Sequence, residues 1–191
     1  MKKFITCLAL AAAFVLPAAA QSISIATAEV YRYAGVPSSG TSEIQTLTIN
    51  ASTSGGTFTL TLANGRTTLP ITWSATNATL VANVDAALEA LNAVGTGGVT
   101  TAVGTMTAGI GTITITFTGK NAKLDFPALS VTNNLITGGT IPTIATTTAG
   151  VEATFRNARP GELLVDTVTP DLYINDGTSQ INGPTWTKVS P

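Results

Sequence analysis

Histidine is absent from this 191-residue chain, cysteine occurs once, and charged residues make up only 10% of it. Without imidazole there is no Ser-His-Asp triad, no Cys-His pair and no histidine metal ligand. The charge content falls far below the roughly 25% of an ordinary globular protein. The 9 basic and 10 acidic residues nearly cancel, and no basic cluster offers itself to a nucleic acid. Disorder is not the alternative, because 44% hydrophobic content with little charge is the reverse of its signature. Threonine fills the polar positions instead, at 36 residues. The polar surface is therefore hydroxyl rather than ionic.

The first twenty residues, MKKFITCLALAAAFVLPAAA, read as a secretory signal peptide. Lys2 and Lys3 form the positive start, Phe4 to Leu16 the apolar stretch, and Pro17 precedes the small residues Ala18-Ala19-Ala20. Thirteen apolar residues are too few to span about 30 Å of hydrocarbon, so no stable membrane span is expected after processing. Cys7 falls too early for a lipoprotein signal and has no small-residue box before it. Cleavage between Ala20 and Gln21 leaves 171 residues, a net charge of −3 and no cysteine. Disulfides and thiolate chemistry then drop out, and stability must come from burial and sheet hydrogen bonds. The expected location is outside the cell or on its surface.

Strict alternation of threonine with large apolar residues dominates the mature chain. In GTFTLTLANGR (56–66), Phe58, Leu60 and Leu62 point one way and Thr57, Thr59 and Thr61 the other. GTITITFTGKN (111–121) repeats the pattern with Ile113, Ile115 and Phe117. A period of two means strands with one buried and one wet face, and threonine suits the wet face because its branched Cβ fits a pleated strand. Asn64-Gly65 carries the signal of a type I′ turn leading into a strand over 67–73, where Leu69, Ile71 and Trp73 continue the apolar face. From Thr79, the sequence TLVANVDAALEALNAVG sets Leu80, Val84, Ala87, Leu88, Leu91 and Val94 on one stripe at helical spacing. Asn77 or Thr79 is placed to cap its start and Gly95 to end it, with Asp85 and Glu89 on the solvated face.

These patterns predict a mainly β (α+β) protein: an antiparallel, threonine-faced sheet carrying one packed amphipathic helix, plus a small C-terminal β-hairpin unit. The expected divisions are a signal peptide (1–20), an N-terminal strand or extension (21–42) and a sheet-plus-helix domain (43–137). A Thr/Gly/Pro linker with room for one short strand (138–160) and the hairpin unit (161–191) follow.

Residues 43–119 resemble a repeated domain of phage structural proteins and large bacterial surface proteins. The resemblance rests on EIQTLTI (43–49), GTFTLTLANGRTTLPITWSAT (56–76), VDAALEALNAVG (84–95) and ITITFTG (113–119). The tail, GELLVDTVTPDLYINDGT followed by TWTKV (161–189), is similar to a hairpin motif of tail-fibre and head-fibre proteins. Leu163, Asp166, Thr167, Thr169, Leu172, Tyr173, Ile174, Asp176, Gly177 and Trp186 fall on that motif. Both resemblances imply a structural protein of a surface or virion and supply no catalytic residues. The signal peptide departs from an ordinary virion protein and shifts weight to a bacterial surface or secreted protein.

The candidate chemistry is sparse. Asp166, Asp171 and Asp176 recur every five residues and offer carboxylates for a loop-bound Ca²⁺. The same residues sit in Pro170-Asp171 and Asn175-Asp176-Gly177, which are favoured turn sequences, and their spacing matches no EF-hand loop. No cleft-spanning carboxylate pair stands out, so an enzyme is not expected and neither is a cofactor. Tyr173 and Trp186 offer flat surfaces for a glycan or a receptor, or else form the small core of the hairpin. Tyr31 and Tyr33 are candidates for anchoring a strand to a neighbouring subunit. Asn50-Ala51-Ser52 and Asn77-Ala78-Thr79 are formal glycosylation sequons, read as accidental beside a bacterial-type signal. The expected function is a non-enzymatic structural or adhesive module that associates with itself or with other surface or appendage proteins.

Overall fold

The computed structural model describes residues 30–132, 135–177 and 182–189. The signal peptide, its Ala20/Gln21 cleavage site and the segment up to residue 29 lie outside the described residues. In chain order the elements are β1 (Val30–Tyr33), β2 (Ile44–Ile49), β3 (Thr57–Thr61), β4 (Ile71–Thr72) and α1 (Asn77–Glu89). They continue with β5 (Val99–Thr107), β6 (Ile110–Phe117), β7 (Ser130–Thr132), β8 (Thr143–Thr148), β9 (Leu163–Asp166), β10 (Leu172–Asn175) and β11 (Trp186–Lys188). The protein is mainly β with one α-helix among the described residues.

Among the described residues three sheets form, in the orders β5-β6-β2-β8, β4-β3-β7 and β1-β9-β10-β11. The first two are antiparallel and, with α1, enclose one core. Leu47 and Ile49 of β2, Phe58 and Leu60 of β3, and Ile113, Ile115 and Phe117 of β6 meet Leu80, Val84 and Leu88 of α1 there. Each comes from the apolar phase of an alternating strand or from the helical stripe. Phe117 stacks on Phe126 with ring centroids 3.9 Å apart, and Leu129 closes that side.

Several local expectations need correction. The short strand expected in the linker is β8, but it belongs to the main sheet, pairing antiparallel with β2 along Thr48–Thr143, Leu47–Ile144 and Thr46–Ala145. An edge strand needs only one inward apolar side chain, here Ile144, so TIATTT shows no alternation to read. The terminal unit is not a lone hairpin either. β1, from the expected extension, adds parallel to β9, with Val30 opposite Leu163 and Tyr33 opposite Asp166.

The strand expected over 67–73 shrinks to Ile71–Thr72, because Pro70 has no N–H to give a ladder. Leu69 is 74% exposed, while Thr68 turns inward and its Oγ accepts the Leu60 N–H at 3.0 Å. Of Asn64 and Gly65 only the glycine has positive φ, at 79°. The Gly65 N–H bonds the Leu62 carbonyl and the Leu62 N–H bonds Arg66, which is a three-residue loop rather than a type I′ turn. The N-cap of α1 is Thr76, without a side-chain cap bond. Asn77 instead holds the β5–β6 turn, accepting from Gly109 N–H at 2.8 Å and donating to the Met106 carbonyl at 3.1 Å. Asp85 and Glu89 are half-buried rather than freely solvated. Asp85 accepts the N–H and hydroxyl of Thr101, and Glu89 accepts the Gly97 N–H at 2.6 Å, so both tie the helix to the β5 side. Trp73 is half-buried at the margin of the core, its indole N–H on the Gly109 carbonyl at 3.0 Å. Thr59, expected on a wet face, is buried and donates to the Thr132 carbonyl at 2.9 Å.

Candidate functional site

The C-terminal aspartates do not converge. Asp166 is buried at the end of β9, with Oδ1 accepting the N–H groups of Gly35 and Val168, each at 2.8 Å. Its Oδ2 accepts the Thr169 hydroxyl at 2.6 Å. That hydroxyl bond, the larger cause, and the backbone N–H groups hold the Asp166 carboxyl below its ordinary pKa. Asp171 pairs with Lys188 at 3.0 Å, and Asp176 accepts the Thr187 hydroxyl at 2.6 Å. Asp166 and Asp171 share the Thr169 hydroxyl, at 2.6 and 3.4 Å, across the β9–β10 turn, while Asp176 has its own partner, and all three act as turn and strand-end fasteners. Among the described residues no group of three or more metal-ligating side chains comes together, so the arrangement expected for Ca²⁺ is not assembled.

Tyr173 and Trp186 are also placed differently from a contact surface. Both are buried, and with Ala158, Leu164 and the half-buried Tyr31 they make the small core of the terminal sheet. The Trp186 indole N–H donates to the Thr154 carbonyl at 2.8 Å, and its backbone N–H to Ser39 Oγ at 3.0 Å. A stacking platform for a sugar needs an exposed ring face, and neither ring offers one. Lys123, whose burial lowers its pKa against a smaller opposing pull from Asp176, donates to the Pro184 carbonyl at 2.6 Å.

Tyr31 and Tyr33 sit in β1 and engage their own chain. The Tyr31 ring stacks on Phe155 at 4.6 Å and its hydroxyl donates to Glu162 at 3.0 Å. Tyr33 meets the same Phe155 edge-on at 6.0 Å.

One polar cluster left no trace in the sequence pattern. Glu43 and Gln45 are both buried beside the core. Gln45 donates to Glu43 and to the carbonyls of Phe126 and Pro127, and accepts the Leu129 N–H at 3.0 Å. Glu43 accepts the Thr146 hydroxyl and the Gly150 N–H, each at 2.7 Å. The cluster therefore clamps β8 and the 126–129 segment onto β2. It has no opening to a ligand, and its chemistry is structural.

What the fold does present is a surface. Across the outer face of the first sheet, Thr112, Thr48 and Thr143 form one cross-strand row, and Ala102, Thr114, Thr46 and Ala145 the next. Thr100, Thr116, Ile44 and Thr148 make a third row. No charged side chain stands in any of them. At the free edge of this face lies β8: six residues, largely exposed, without charge and with no described strand on its far side. Its irregularity, opposite Ile44 and Gln45, lies near its C-terminal end. The other edges are guarded by devices that block pairing. Asp85 and α1 cover β5 as far as Thr101, beyond which Ala102–Thr105 are exposed, while β4 and β7 have two and three residues, β1 carries Arg32 and β11 carries Lys188. No described helix is long and apolar enough to cross a membrane. In comparisons with known proteins, no family model and no curated protein matches this chain.

Proposed function

We propose that this chain is an exported, non-enzymatic structural and adhesive module of a bacterial surface or phage-like appendage, built to associate with copies of itself. The observation that carries the reading is β8, an unguarded edge beside a hydroxyl face with no charge to repel a second copy. Edge strands of this kind are templates for pairing, and an antiparallel β8–β8 contact about a twofold axis uses the same residues on both chains. Threonine rows on two such sheets would then run on as one surface.

The test is light scattering on protein beginning at Gln21, over a wide concentration range. Oligomers that dissociate when Ala145→Lys places a charge on the exposed edge support the reading, and a monomer at every concentration overturns it. N-terminal sequencing of the native protein separates export from a virion protein with an uncleaved apolar start. Gln21 as the first residue supports export, and Met1 supports the virion.

A further inference from the structure

The strained residue Phe155 marks a second surface, distinct from the β8 edge. Its φ of +50° places a bulky aromatic in the left-handed region, where non-glycine residues are uncommon and costly. Phe155 is 36% exposed and Tyr33 38%, while Tyr31 covers one face of the Phe155 ring at 4.6 Å. The strained backbone thus holds an aromatic pair open to solvent, instead of filling a core.

Beside the pair is a shallow, open cleft of about 430 Å³. Glu152 and Arg156 line it together with Tyr33 and Phe155. Glu152 is exposed, and no hydrogen bond or ion pair engages its carboxylate among the described residues. Arg156 donates through Nη2 to the carbonyls of Lys120 and Ala122, which fixes the guanidinium at the cleft wall. Its Nε is the one buried side-chain nitrogen or oxygen without a partner among the described residues. Being buried, that Nε faces the protein rather than the cleft.

We infer that this cleft binds a neutral saccharide. A sugar ring has an apolar C–H face for the exposed aromatic pair and hydroxyls that both accept and donate. Glu152 supplies the acceptor and Arg156 the donor through Nη1, since Nη2 is engaged by two carbonyls and Nε is buried. Their opposite charges cancel, which disfavours an acidic or a basic ligand and suits a neutral one. The rings buried in the terminal core, Tyr173 and Trp186, take no part.

The full chain from Gln21 is screened on an array holding neutral glycans, acidic glycans and proline-rich peptides. Hits are then measured by saturation-transfer NMR with methyl glucoside, methyl galactoside and N-acetylglucosamine oligomers as probes. Binding of neutral glycans is expected, weakened at least tenfold by Phe155→Gly, which relieves the backbone strain and leaves the melting temperature unchanged or raised. Glu152→Ala, at an exposed position, should weaken binding severalfold with no change in melting temperature. It decides the question if Phe155→Gly does not fold. The inference is overturned by no binding to any neutral glycan, by binding confined to acidic glycans or peptides, or by neutral binding that survives both substitutions. Loss of melting temperature in Phe155→Gly without glycan binding by the parent assigns Phe155 to packing and also overturns it.

Discussion

The carboxylate of Asp166 accepts the backbone N–H of Gly35 at 2.8 Å, joining residues 131 positions apart. This bond and that of Thr167 N–H to the Tyr33 carbonyl at 2.7 Å close the end of β1 onto β9. Asp166→Asn keeps the shape but replaces one acceptor oxygen with a donor, so at least one of its three partners loses its acceptor. Protection of the β1 amides against hydrogen exchange should fall first, while the core amides of β2 and β6 stay protected.

The same carboxyl sets an acid response. Its folded pKa lies below the ordinary value of about 3.9. A carboxyl depressed by folding stabilises the native state at every pH above the unfolded pKa. That contribution is lost as pH falls through the depressed folded value. Denaturant midpoints should therefore hold steady from neutral pH to about 4.5 and decline below it. In Asp166→Asn, the part of the decline owed to this carboxyl should be absent. An unchanged acid limb in the variant would place the titration elsewhere.

Gly109, with φ of +75°, lies under Trp73. A Cβ there would collide with the Ser74 carbonyl oxygen and come within 2.9 Å of Trp73 Cζ2. Gly65 also has positive φ, at 79°, but its Cβ would meet nothing within 4 Å. Gly65→Ala should therefore show the backbone cost alone, about 1 kcal/mol. Gly109→Ala adds the collision and should exceed about 2 kcal/mol. Urea midpoints of the two variants separate the effects, and equal losses would mean that the Ser74 carbonyl and the Trp73 ring both relax freely.

Elements that bury one face in a regular period were legible in the sequence. In β2, β3 and β6 the apolar residues, Leu47, Phe58 and Ile113 among them, fall in phase with the pleat. In α1 the stripe runs from Leu80 through Val84 to Leu88 at helical spacing. What was not legible depends on partners distant in the chain. β1 falls in the expected N-terminal strand or extension, but its parallel pairing with β9 has no local pattern to encode it. β8 has one inward apolar residue, and its threonine run looks the same as a linker. Leu69 and Thr68 exchange faces because Pro70 interrupts the ladder, which breaks the alternation without changing its appearance. The site was less legible than the fold. Exposure separates Tyr33 and Phe155 from Tyr173 and Trp186, and aromatic residues carry no mark of exposure in sequence.

Glu43 and Gln45 share a buried hydrogen bond, and substitution of either should weaken the clamp on β8. Gln45→Leu retains volume but strands the Leu129 N–H inside the protein and removes the donor that Glu43 now accepts. An orphaned buried backbone donor costs about 1–3 kcal/mol. Glu43→Gln turns one of two accepting oxygens into a donor, facing either the Gly150 N–H or the Thr146 hydroxyl. Each variant should lose about 1–3 kcal/mol in chemical denaturation. Made together, the two losses should fall short of additive, because the side chains share one hydrogen bond. Strict additivity would mean that the bond between them contributes nothing.

Trp186 tests how far the terminal sheet depends on its own core. Its ring packs with Ala158, Leu164 and Tyr173, and its N–H reaches Thr154, just before the strained Phe155. Trp186→Phe keeps most of the apolar contact and loses the bond to Thr154, at a cost of about 1 kcal/mol. Trp186→Ala empties the centre of a cluster with only four buried members among the described residues, and a cost of about 3–5 kcal/mol is expected. Such a small core has little else to hold it, so the loss should appear as local opening of β9, β10 and β11. Amides of β2 and β6 should keep their protection, because Leu47, Ile113 and Phe117 belong to the other cluster. Hydrogen exchange resolves the two sets of amides. If both sets open together in Trp186→Ala, the bonds from Ser39 and Lys123 to this unit couple it to the main core strongly enough that the two unfold as one.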